Sequence, residues 1–247
     1  LRVASPFDYS EQAGLFVPPG LPAPSDPGHT DAVAHAAWGW ASRIGGRTLV
    51  LTTTLRAVKR IADAMSGWAS APEHGGAALE VLVQGQSPKR ELLRQFERAG
   101  SPGARGAVLV ASASFWEGVD LPGDVLQLVV IDKLPFPPPD DPLVEARTRQ
   151  IEHEGGTAFT RYFLPEAAVA LKQGAGRLIR SEHDRGVLVV CDVRLRRMGY
   201  GRKLLSSLPP MRWLEDDQAM WAALDALQAS NVPSVVTTVS TTDHPRA

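Results

Sequence analysis

The sequence predicts an α/β fold with a mostly parallel sheet covered by helices on both faces. Three observations carry that reading. Apolar runs at 107–111, 125–131 and 186–191 show no polar alternation, the mark of strands buried on both sides. Stretches of helical periodicity separate the strand-like runs. The chain is 247 residues long and 44% hydrophobic, enough for one substantial domain or two small ones.

Element by element, residues 1–27 are rich in Pro and Gly and carry Phe7, Tyr9 and Phe16. They read as an extended lead-in lying across a main domain at 28–230. Residues 30–42 read as a helix starting near Thr30 or Asp31. Arg47–Thr53 is β-rich, and 54–68 has helical spacing at Leu55, Val58, Ile61, Ala62 and Met65. A short strand follows at 79–83. Ser87 then offers a cap and Pro88 a first helical position for a helix to about Ala99. After strands at 107–111 and 125–131 comes a proline-rich loop at 134–139. Helices are expected at 141–154 and 165–180, a strand at 186–191, and helices at 201–207 and 212–229. Residues 231–247 are Ser/Thr/Val-rich with a polar end and read as a flexible tail or a late strand.

Composition narrows the function. No run of eighteen apolar residues exists, so no membrane-spanning helix is expected. A single cysteine, Cys191, excludes an intrachain disulfide framework and an all-Cys iron–sulfur site in this segment. With no leader sequence at Leu1, it points to a reducing cytoplasm and to a piece of a longer protein. Net charge is −1, yet Lys172–Lys203 holds nine Lys/Arg against three acids, leaving +6 there and −7 elsewhere. Such a basic stretch in a neutral chain suits a phosphate-bearing ligand. His153, His183 and the acids around them fit no standard metal spacing, so no metal site is expected.

Two motifs carry chemistry. In Gln173-Gly-Ala-Gly-Arg177-Leu-Ile-Arg180, helical winding of ~100° per residue puts Gln173, Arg177 and Arg180 within a ~60° sector. Leu171, Ala175 and Leu178 fall nearly opposite, as a core-facing backing. Two glycines beside two guanidinium forks break helix propensity at a place suited to a polyphosphate. The competing reading is an amphipathic helix with ordinary surface arginines. The second motif, Ser112-Ala-Ser114-Phe-Trp116-Glu117-Gly118-Val-Asp120-Leu-Pro-Gly123, follows the apolar strand at 107–111. The carboxyl ends of such strands are where open α/β sheets bind ligands. Ser112 and Ser114 can donate to phosphate, and Glu117 and Asp120 can accept from a sugar hydroxyl or from Arg177 or Arg180. Trp116 and Phe115 can stack on bases or pack in the core. Lys133, Arg194 and Arg197 are further phosphate-contact candidates.

The phosphate-cradling loop Gly-x-x-x-x-Gly-Lys-Ser/Thr is missing, and so is an acidic box for magnesium. The nearest imitation, Gly45-Gly46-Arg47-Thr48, precedes a strand. The chain therefore has groups to stabilise charge on a triphosphate but not to hold one alone.

Ser-Pro-Phe-Asp-Tyr at 5–9, Ser-Phe-Trp-Glu-Gly-Val-Asp at 114–120, Leu-Pro-Phe at 134–136, Asp-Asp-Pro-Leu at 140–143, the 173–180 motif and Asp-Arg-Gly at 184–186 occur in this order. That series resembles the DinG branch of the DinG/XPD family of superfamily 2 DNA helicases, over about Ser5 to Pro210, and only its second motor domain. The resemblance implies a RecA-like three-layer fold and ATP-driven 5′→3′ translocation on single-stranded DNA. It implies arginine fingers at Arg177 and Arg180 with Gln173 beside them. Glu117, Gly118 and Asp120 would face the nucleotide, and Ser112, Ser114 and Trp116 the DNA. ATP and Mg²⁺ would be held mainly by the first motor domain of the same polypeptide, and an iron–sulfur cluster, where present, belongs there too. The alternatives are a non-catalytic single-strand- or protein-binding module retaining the motor fold, and a self-sufficient NTPase, which the missing loop disfavours.

Overall fold

The computed structural model describes residues 7–71, 79–101, 103–112, 115, 121 and 124–230. A seven-stranded sheet forms its centre, in the order β3-β4-β2-β5-β6-β1-β7 with every pairing parallel. The strands are β1 (Ala13–Phe16), β2 (Thr48–Thr52), β3 (Glu80–Val83), β4 (Ala107–Ser112), β5 (Leu128–Ile131), β6 (Gly186–Val190) and β7 (Arg212–Leu214). The apolar runs are the middle of the sheet, as parallel strands need cover on both faces.

Alternate residues of each strand feed two cores. Leu49, Leu51, Leu109, Ala111, Val129, Ile131, Leu188 and Val190 point to one face. Val50, Val108, Val110, Leu128, Val130, Val187 and Val189 point to the other. The first face is covered by α4 (Lys89–Ala99), α6 (Leu164–Ala175) and α8 (Gly201–Leu205), through Leu92, Phe96, Leu171, Ala175 and Leu204. The second is covered by α2 (His29–Arg43), α3 (Leu55–Ser70) and α9 (Asp217–Ser230), through Val33, Ala37, Val58, Ile61, Met65, Met220 and Leu224. The result is a three-layer α/β/α unit. Among the described residues there are also the short α1 (Tyr9–Gln12) and α7 (Arg194–Arg197), α5 (Pro142–His153), and a π-helical turn at Phe159–Phe163.

Several boundaries differ from the sequence reading, each for a local reason. The lead-in is not merely laid across the domain, because residues 13–16 enter the sheet between β6 and β7. Ser87 does not cap α4. Pro88 is itself the cap residue, with extended backbone. Thr54 does cap α3, accepting from the Ala57 N–H at 3.2 Å, whereas Leu55 is 68% exposed and outside the core stripe. The stretch 212–229 divides into β7 and α9. Gly45, Gly46 and Arg47 all have positive φ in a turn that leads into β2. That turn stands at the strand's amino end and packs against Gly106, where an added Cβ would lie 1.8 Å from the Gly45 carbonyl oxygen. It is a close-approach turn rather than a phosphate loop.

The helix expected at 165–180 stops at Ala175. Gly176 forms the C-cap, and the next N–H groups bond three residues back: Arg177 to Gly174 at 3.1 Å and Leu178 to Ala175 at 3.2 Å. Glycine's poor helix propensity permits this tightening. Leu178 nonetheless stays in the core, as the opposite-face reading requires. It seats against Gly186, where a Cβ would come 2.5 Å from Leu178 Cδ1 and 2.7 Å from the Gln127 carbonyl oxygen. Gly186→Ala should therefore destabilise the fold by about 1–3 kcal/mol through overpacking. Urea unfolding checks this, and an unchanged midpoint would contradict it.

Candidate functional site

Gln173, Arg177 and Arg180 do not share one helical stripe, since α6 ends before the arginines. They reach two neighbouring places. Gln173, exposed near the end of α6, lines a small cleft with Thr52, Thr53, Ile131 and Pro135 at the carboxyl ends of β2 and β5. Here the strand order changes direction: the chain leaves β2 toward β3 and β4, then resumes on its other side with β5 and β6. Such switch points are where open α/β sheets place ligands. The cleft measures about 30 Å³, room for a water molecule or two rather than for a nucleotide.

Arg177 and Arg180 are half-buried in the connection from α6 to β6. Asp184 shapes this connection. Its buried carboxylate accepts from the backbone N–H of Arg180 at 2.7 Å and of Ser181 at 3.0 Å, and from the Ser181 hydroxyl at 2.5 Å. Gln12, buried at the end of α1, donates its amide to the carbonyls of Ser181 at 2.8 Å and Asp184 at 3.1 Å. So held, Arg180 extends Nη1 to the carbonyl of Leu121 at 2.8 Å. Leu121 follows Asp120 directly, so the arginine motif and the end of the second motif meet over the same sheet face.

The second motif begins elsewhere. Ser112, the last residue of β4, is buried, and its N–H and hydroxyl both donate to the Gln84 side-chain oxygen, at 2.6 and 2.9 Å. Gln84 in turn lines an open groove of about 570 Å³ with Lys59, Gly85 and Gln86, between α3 and the loop after β3. Ser114, Trp116, Glu117, Gly118 and Asp120 lie outside the described residues. Phe115 is 4% exposed, with Lys89 Nζ 4.9 Å from its ring centre. It packs in the core and is unavailable to bases.

Two buried carboxylates organise the carboxyl ends of the central strands. Asp192, after β6, accepts from the Leu134 N–H at 2.9 Å and from the Arg194 guanidinium, with Nη2 at 2.6 Å. This pair raises the pKa of Arg194 and holds the proline loop against β6. Asp132, after β5, accepts from the N–H groups of Thr53 at 3.1 Å and Lys133 at 2.7 Å. Burial pushes its carboxyl up to about 6, against the lowering effect of the Lys133 charge and the two N–H bonds. Burial, with the charges of Asp132 and Asp192, also raises the Cys191 thiol, so that sulfur is no nucleophile. Sequence reasoning missed Gln12, Gln84, Asp132 and Asp192 as shaping residues. Among the described residues no group of three His, Cys, Asp or Glu is placed to hold a metal ion, and no helix is long and apolar enough to cross a membrane.

Known proteins resemble this chain in sequence and in fold. The description "Helicase C-terminal domain" matches residues 38–211, and the chain belongs to that family. It is 45% identical over 210 residues to the ATP-dependent DNA helicase YoaA of Escherichia coli K12, covering 85% of this chain and 31% of that protein. It is 37% identical over 232 residues to the ATP-dependent helicase DinG of Mycobacterium tuberculosis, covering 92% and 32%. The chain thus spans about a third of the length of these curated relatives. A solved XPD helicase superposes with a TM-score of 0.58 at 17% identity, over 82% of this chain and 35% of that one, which supports the RecA-like fold.

The Asp132 shift has a consequence for stability. Its folded value lies above the ordinary 3.8, so the folded state binds this proton more tightly than the unfolded chain. The contribution is fully present below about pH 4 and lost as pH rises through about 6. Relative to Asp132→Asn, the wild type should lose about 1–3 kcal/mol between pH 4.5 and 7.5. Urea midpoints of the two proteins across that range check this, and parallel pH profiles would contradict it.

Proposed function

We propose that this chain is the second motor domain of an ATP-dependent 5′→3′ DNA helicase. It supplies arginine fingers for hydrolysis and part of the track for single-stranded DNA. The reading is carried by the two ends of the second motif. Ser112 sits beside the Gln84 groove at the carboxyl edge of the sheet, and Leu121 accepts from Arg180 over the sheet face. A single short segment thereby links a groove wide enough for a strand with the guanidinium groups. The names of the YoaA and DinG relatives support the same activity for the whole protein.

The donor set fits an anion. Gln173, Arg177 and Arg180 are N–H donors, and the Gln173 cleft is too small to enclose a nucleotide. ATP and Mg²⁺ are then held mainly by a first motor domain of the same polypeptide, and closure of the two domains brings the fingers to the nucleotide. Arg177 and Arg180 match charge that develops on the transferring phosphoryl group, while Gln173 orients beside them. Glu117, Gly118 and Asp120 face the nucleotide and the fingers. DNA runs along the carboxyl edge past Gln84, which buried Ser112 positions with both its donors instead of meeting a phosphate itself, with Ser114 and Trp116 contributing. Contacts chiefly to phosphate make its binding sequence-blind and salt-dependent.

In the intact polypeptide, Arg177→Ala should lower DNA-stimulated ATP turnover by at least about a thousandfold. Binding of a single-stranded oligonucleotide should stay within about twofold of wild type. Turnover close to wild type would remove the finger assignment.

A further inference from the structure

Phe136, Phe159 and Tyr200 come from three separate connections and meet in one cluster. Phe136 lies in the proline loop after β5, Tyr200 ends the connection from α7 to α8, and Phe159 opens a π-helical turn, Phe159–Phe163, that runs straight into α6. Ring centres are 5.7 Å apart for Phe136–Phe159, 5.1 Å for Phe159–Tyr200 and 6.1 Å for Phe136–Tyr200. Phe136 and Tyr200 rest on the core, whereas Phe159 is 37% exposed and forms the outer ring. An outward phenyl braced on its inner side by two aromatic rings is a fixed apolar face, and π-turns recur at functional sites.

Its surroundings select the occupant. From Arg194 to Lys203 the chain carries five cations and no acid. Arg194 lies 5.6 Å from the Phe136 ring centre. Arg197, Arg202 and Lys203 are exposed and form no ion pair among the described residues. An aromatic face within a cationic stretch is the pairing that binds single strands, with phosphates on the cations and bases on the rings. The cluster stands at the carboxyl ends of β5 and β6, on the same edge of the sheet as the Gln84 groove at β3. At 4.7–4.9 Å between neighbouring strands, β3 and β6 are about 19 Å apart, a span for several nucleotides.

We propose that Phe159, braced by Phe136 and Tyr200, is a base-stacking platform of the single-stranded DNA track. This rests on the DNA-track reading above and extends it to a site at the β5–β6 end. The test measures binding of the chain, at low salt, to a fluorescent oligothymidylate and to an abasic strand of equal length and charge. Phe159→Ala should weaken oligothymidylate binding about tenfold and leave abasic binding unchanged, and Phe159→Trp should restore it. Unchanged oligothymidylate affinity in Phe159→Ala, or an equal loss on the abasic strand, overturns the platform and leaves the DNA track standing. Failure of the wild-type chain to bind either strand overturns both.

Discussion

The buried carboxylate of Asp184 is the constraint on which the site rests. Backbone N–H groups in a buried connection between helix and strand have no ladder partner, and burial without replacement costs about 1–3 kcal/mol for each. Asp184 meets two of them, on Arg180 and Ser181, while the Gln12 amide satisfies carbonyls of the same turn. The connection is therefore fixed before any ligand arrives. Fixing the backbone of Arg180 fixes where its guanidinium starts, and from there it meets Leu121. A pre-ordered guanidinium loses less freedom when it meets a phosphate, which is how a donor gains strength without a new contact.

The same device recurs at the opposite ends of the central strands. Asp192 ties the first turn of the proline loop to β6, and Asp132 ties Thr53 to β5. In each case a buried acid is satisfied mainly by backbone N–H groups or by an adjacent arginine, so its charge orders loops. The polar edge that follows is continuous in kind: Gln84 and Ser112 at one end, Thr53 and Gln173 in the middle, Arg194 and the aromatic cluster at the other. The arginine connection from α6 to β6 lies off this edge, over the sheet face. α6 joins the two places, carrying Phe159 just before its start, Gln173 near its end and the arginines just beyond.

Much of the fold was legible because its signals are local. The runs at 107–111 and 186–191 are unbroken and apolar and lie within or beside β4 and β6, and α3 shows its stripe. The unread parts depend on distant partners. β1 is four residues set among glycines and prolines, and only the flanking strands β6 and β7 make it a strand. α6 ends at Ala175 where periodicity alone would continue it, because Gly176 weakens the helix and Asp184 captures the chain beyond. In the site, the Gln-Arg motif stands out by its glycines, whereas Gln12 and Gln84 sit in no motif that marks them. Gln12 acts on residues 169 and 172 positions away, and Gln84 on one 28 positions away, separations that no sequence window reaches. Phe115 shows the converse: an aromatic beside a serine-rich turn that sequence offers to bases and packing claims for the core.

Amide hydrogen exchange at Arg180 and Ser181 tests the pre-ordering of the arginine connection most directly. Slow exchange is expected at both positions in the unliganded chain. Asp184→Ala should abolish that protection while the amides of Val187–Val190 in β6 remain slow. Exchange at 180 and 181 already as fast as in an unstructured peptide would contradict this, showing that no buried acid holds the connection.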